Sequence, residues 1–154
     1  MTYDDLLQEA DSNNIEIIEF TFDSNCKAMC VDNVIAMSVK LNNIKEKRCV
    51  LAEELGHQFT SSGNIIDLKS VCNRKQELKA RNWSYEKLIP LKILIKASYE
   101  GCTNLFELAE CLDVTEEFLK DTLQYYQNKY GLYTEVDNHC IYFNPLTVCK
   151  YSYE

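Results

Sequence analysis

With 154 residues, 46% of them hydrophobic and 26% charged, and only four glycines and two prolines, the chain can bury one compact core and is too apolar to remain disordered. Its net charge of −8 comes from 14 acids and 11 bases over residues 1–90 and 10 acids and 5 bases over residues 91–154, so neither part is built to hold a phosphate backbone. No apolar run approaches the roughly 20 residues needed to cross a bilayer, and MTYDDLLQEA carries acids where a signal peptide carries bases, so a cytoplasmic protein with no membrane partner is expected.

Residues 2–13 begin with a threonine cap and an aspartate three positions later, and then place Leu6, Leu7 and Ala10 on one face, which predicts a short amphipathic helix. IEIIEFTF (15–22) and CKAMCVDNVIAMSV (26–39) are rich in β-branched and apolar residues, with the turn-prone pair Asp32-Asn33 inside the second stretch. They predict a small antiparallel sheet of two or three strands. From about Ile44 to Thr60 the apolar spacing becomes helical, and Ser61-Ser62-Gly63 ends it; a second long helix is expected from about Leu68 to Leu88, stopped by Pro90.

Beyond Pro90, LKILIKASYEG, NLFELAECLDV and TEEFLKDTLQYYQNKYG read as three helices, punctuated by Gly101, the Asp113-Val114 turn and Gly131. The tail TEVDNHCIYFNPLTVCKY reads as a β-hairpin around Asn144-Pro145, and three helices with a hairpin give a helix-turn-helix or winged-helix outline. The expected fold class is α+β, with one domain over residues 1–90 and a helix-turn-helix-like region over 91–154. The eight cysteines are scattered without a CxxC pair and read as free, buried thiols; Cys26 and Cys30 lack the second pair that a metal site would need.

The chemistry concentrates in LAEELGHQ (51–58). Residues four apart share a helix face, so Glu53 and His57 project side by side, with Glu54 on nearly the same face. A metal held between Glu53 and His57 would leave Glu54 beside its open position, placed to take a proton from water. This is the logic of the HExxH helix with Glu53 in place of the first histidine. A carboxylate is an accepted zinc ligand, and two oxygen ligands with one nitrogen should admit manganese or iron more readily. Glu77, whose face-mates Ala80 and Ser84 are small enough for close helix approach, is a candidate third ligand, with Asp67 in the connecting loop as the alternative. Gly56 costs about 1 kcal/mol relative to alanine inside a helix, unless another backbone must pass close by. The bland alternative is that Glu53, Glu54 and His57 are ordinary solvated helix residues.

RCVLAEELGHQFTSSGNIID followed by KQELKARNWSYEKLIP resembles the ImmA/IrrE family of metallopeptidases found in prophages and mobile elements, many of whose members carry EELGH instead of HELGH. The resemblance extends to DLLQEADSNNIEIIE, DNVIAMS and FELAECLDVTEEFLKDTLQYYQNKYG, nearly the whole chain. It implies a zincin-like domain binding one divalent ion, zinc foremost, through Glu53, His57 and Glu77, with Glu54 as general base. Many relatives place an acid directly before the alanine, where this chain has Lys79. It further implies a metallo-endopeptidase acting as an anti-repressor in transcription regulation, by cutting a helix-turn-helix repressor encoded beside it. Two other classes stand beside this reading: a catalytically inactive repressor-binding protein, and a DNA-binding regulator. The second is disfavoured because Thr115-Glu116-Glu117 would lead the recognition helix towards phosphates of like charge.

Among the remaining residues, the strand around Val34-Ile-Ala36 is expected to pair with an extended substrate. His139 in the hairpin is a candidate oxyanion or substrate contact, weighed against a plain surface role. Trp83 and Tyr85 read as core, and Tyr125, Tyr126, Tyr130 and Tyr133 as packing of the last helix on the hairpin.

Overall fold

The computed structural model describes residues 1–60, 71–102 and 104–151, and the chain divides into two compact units, Met1–Leu88 and Ile89–Glu154. Among the described residues there are six helices and two three-stranded sheets, an α+β architecture.

The first unit opens with α1 (Tyr3–Ser12). Its start is fixed as the sequence indicates: the Thr2 hydroxyl accepts from the Asp5 N–H, and the Asp5 carboxylate accepts from the Thr2 N–H, a reciprocal capping box. Leu6 and Ala10 turn inward and are fully buried. Three strands follow, β1 (Glu16–Phe20), β2 (Ala28–Val31) and β3 (Val34–Ser38), in the order β1-β3-β2.

The sheet departs from the antiparallel expectation. The two-residue turn at Asp32-Asn33 folds β2 antiparallel onto β3, but β1 pairs parallel with β3, Glu16 opposite Val34 through Phe20 opposite Ser38. Burial gives the physical reason. β3 carries the buried Ile35, Met37 and Ser38 and takes the centre, whereas β1, with Glu16 and Glu19, takes an edge that charges protect. Val34–Ala36 consequently has a strand on both sides and has no edge to offer a substrate, correcting that expectation; among the described residues the edge strands are β1 and β2.

Two long helices complete the unit, α2 (Ile44–Thr60) and α3 (Val71–Leu88). The Asn43 side chain accepts from the Lys45 N–H at the start of α2. α2 packs on α1, β2, β3 and most extensively on α3. Leu51 and Leu55 are fully removed from water, each worth about 2–3 kcal/mol of burial.

The second unit holds α4 (Leu91–Tyr99), α5 (Leu105–Leu112) and α6 (Glu116–Tyr130), then β4 (Tyr133–Val136), β5 (His139–Phe143) and β6 (Leu146–Lys150). Asp113 closes α5 in a left-handed conformation (φ 54°), and the Thr115 hydroxyl caps α6 by accepting from the Phe118 N–H. In place of a single hairpin there is a three-stranded antiparallel sheet, because Asp137 and Asn138 take positive φ angles of 47° and 61° and make a second tight turn. Tyr126 is buried, donates its hydroxyl proton to the Ile89 carbonyl at 2.7 Å and stacks on Phe143, which fixes α6 against β5.

The described cysteines are free as expected, but only Cys49 among them is buried. Trp83 is half-buried against Phe59, whereas Tyr85 lies in the core.

Candidate metal centre

Gly56 decides how α2 meets α3. A Cβ at this position would run into the Ala80 carbonyl, with the carbonyl carbon 2.9 Å away and the Cα 3.0 Å away, so only glycine admits the crossing. On α3 the crossing falls at Ala80, which is fully buried, as is Ser84 one turn further on. Close approach there brings the longer side chains beside it into reach of one another.

His57 Nε2 lies 3.2 Å from Glu77 Oε2, joining a histidine of α2 to a carboxylate of α3. Glu77 Oε1 in turn accepts from Arg81 Nε at 3.0 Å. Glu54, half-buried next to this pair, is pushed up from 4.5 to about 7, first by burial and then by the charges of Glu53 and Glu77. A carboxyl poised near neutrality is suited to take and return a proton.

Gln58 fixes the sheet beside the site. Its Nε2 reaches Cys30 Sγ at 2.9 Å and also donates to the Asp32 carbonyl, tying α2 to β2 and its turn. β2, an edge strand of the sheet among the described residues, therefore lies near Glu54, whose charge, after burial, helps raise the Cys30 thiol. Neither Gln58 nor Arg81 stands out in the sequence; the one available signal is the four-residue spacing between Glu77 and Arg81.

The donor chemistry suits a divalent cation. Two Lewis-basic atoms 3.2 Å apart need a proton or a cation between them, and the surrounding carboxylates supply the negative field that favours one. Two of the proposed donors thus meet. Glu53, one turn before His57, acts on Glu54 and Arg81 through its charge. It is not gathered into a closer cluster: among the described residues no group of three His, Cys, Asp or Glu side chains lies close enough to hold a metal ion. Asp67, the alternative ligand, lies outside the described residues. Lys79 is exposed.

His139 belongs to the second unit, where both ring nitrogens are engaged: Nδ1 with the Asp137 carbonyl at 2.7 Å and Nε2 with the Tyr99 hydroxyl at 2.7 Å. Because a carbonyl only accepts, Nδ1 is the donor to Asp137. The same unit contains a cavity of about 660 Å³, bordered by Leu105, Leu108, Lys120, Phe143 and Pro145 among others. Among the described residues its lining includes no histidine or carboxylate, unlike the pairing found between α2 and α3.

No helix among the described residues is long and apolar enough to cross a membrane. Comparison with curated proteins and with solved structures gives no match. The sequence model described as Peptidase_M78, the IrrE N-terminal-like domain, matches residues 7–124. That match covers most of the chain, including α2 and α3 with Glu54, His57 and Glu77, and the chain belongs to this ImmA/IrrE-type metallopeptidase family.

Proposed function

We propose that the protein is a metal-dependent, site-specific endopeptidase that cuts a helix-turn-helix repressor and so releases a prophage or mobile element from repression. Residues 1–90 serve as a zincin-like catalytic domain, and the helix-turn-helix-like region 91–154 docks the repressor. The observation that carries this reading is the contact of His57 Nε2 with Glu77 Oε2 beside a Glu54 raised to about 7. Glu53, His57 and Glu77 would hold the divalent ion, zinc before manganese or iron. A bound divalent ion supplies Lewis-acid activation of water and of the scissile carbonyl.

The chain's own groups do the remainder. An extended substrate adds to the edge strand β2, where main-chain hydrogen bonds align it. Glu54 takes a proton from water and later returns it to the leaving amine, so one carboxyl near neutral pKa serves both directions. Gln58 holds β2 against α2, keeping the docked peptide in register with Glu54. His139 has no part in this scheme, since its two nitrogens are committed to Tyr99 and Asp137.

Incubation with the repressor encoded next to it should give one defined cut. Glu54→Gln should abolish that cut, by at least about 100-fold, while the metal content stays that of the wild type. A cut surviving in Glu54→Gln would reject the assignment. A second reading, a repressor-binding protein that does not cut, is favoured by one observation, the lack of a three-donor cluster among the described residues. Its signature is a tight complex with intact repressor under zinc, manganese and iron alike.

A further inference from the structure

The half-buried Glu54 feels the charges of Glu53 on its own helix and of Glu77 on α3. Arg81 is the cation that faces them. It shares the Glu77 carboxylate with His57: Oε1 is held by Arg81 Nε at 3.0 Å and Oε2 faces His57 Nε2 at 3.2 Å. One turn before His57 on α2 stands Glu53, and one turn after Glu77 on α3 stands Arg81, with the Gly56–Ala80 crossing between the two helices. Burial of the guanidinium works against its charge, but Glu53, Glu77 and Tyr85, together with the hydrogen bond to Glu77, outweigh burial and raise Arg81 above its ordinary value.

We propose that Arg81 is a built-in counter-ion of this centre: it neutralises the Glu53–Glu77 pair in the metal-free chain and lowers the affinity for a divalent ion by competing for the same carboxylates. The proposal rests on the reading of Glu53, His57 and Glu77 as the ion's ligands. Charge arithmetic gives it content. A glutamate at the first ligand position brings one more negative charge than a histidine would, and Arg81 returns the ligand set to a net of one negative charge. Arg81 thereby accounts for how a carboxylate is accommodated there.

A plain helix-surface ion pair is the competing account of Arg81, since both side chains are close to half exposed. The two accounts part on metal affinity. A guanidinium held one residue's reach from a doubly charged ion repels it even in high dielectric, and removing that charge should tighten binding about tenfold. A surface pair, or a residue whose task is only to orient Glu77, would leave the affinity unchanged or weaken it on removal.

The test uses the full-length chain, stripped with chelator and titrated calorimetrically with zinc and separately with manganese. Arg81→Gln, which keeps a donor but not the charge, should bind each ion about tenfold more tightly; Arg81→Lys, which keeps the charge, should remain within about threefold of the wild type. In chelator, Arg81→Gln should melt below the wild type, and the difference should shrink in the Glu53→Gln background. Unchanged or weaker binding by Arg81→Gln, with the wild type binding one ion that Glu77→Ala loses, overturns this proposal alone. Failure of every variant, the wild type included, to bind either ion overturns the ligand reading and this proposal with it.

Discussion

At the scale of single residues, burial and the charges of Glu53 and Glu77 push Glu54 from 4.5 to about 7, which links the stability of the metal-free protein to pH. Below about 4.5 the carboxyl is protonated whether the chain is folded or not, and it costs nothing. Between there and about 7 the unfolded chain ionises while the folded one keeps its proton, so stability falls as pH rises and levels off above about 7. Glu54→Gln cannot ionise. In chelator it should match the wild type near pH 4 and exceed it at pH 8, by up to about 3 kcal/mol in urea unfolding. Parallel profiles for the two proteins would reject the burial of Glu54. The spacing of Glu53, Glu54 and His57 was legible in LAEELGHQ because a helix repeats its faces every turn. Arg81 was not legible, since Glu77 and Arg81 read as an ordinary surface pair until the Gly56–Ala80 crossing brings in Glu53 and His57.

At the scale of elements, the crossing of α2 and α3 is what turns two helices into a site, and Gly56 controls it. Glycine to alanine in a helix interior ordinarily gains about 1 kcal/mol. Here the new Cβ meets the Ala80 backbone, which cannot swing aside as a flexible side chain does, so overpacking should win and Gly56→Ala should destabilise by about 1–3 kcal/mol. Thermal melts of the chelated protein decide the sign. The helices were legible from caps and periodicity, as the Thr2–Asp5 box and the Thr115 cap illustrate. Strand order was not. Alternation tells which face of a strand is buried, not which strand lies beside it, so β3 was taken for an edge although its Ile35 and Met37 require the centre. The Asp137-Asn138 turn was written in the sequence as plainly as Asp32-Asn33, and recognising it would have divided β4 from β5.

At the scale of the whole molecule, charge limits the partners. A net of −8, with residues 91–154 holding twice as many acids as bases, opposes a phosphate backbone wherever α6 is presented. Duplex DNA should therefore not be retained at physiological salt in a gel-shift titration, and retention there would restore the DNA-binding class. The family sequence model runs from α1 into α6, past the boundary at Leu88, so the likeness is not confined to the first unit. The sequence by itself determined the helices, their caps, the α+β class and the helix face that carries Glu53, Glu54 and His57, because each depends on residues within a few positions of one another. Only the tertiary structure decided which carboxylate meets His57, what raises Glu54, which of the described strands lies at the sheet edge, and that Arg81 stands beside Glu77. Those depend on contacts between residues far apart in the chain, made where Gly56 lets α3 approach α2.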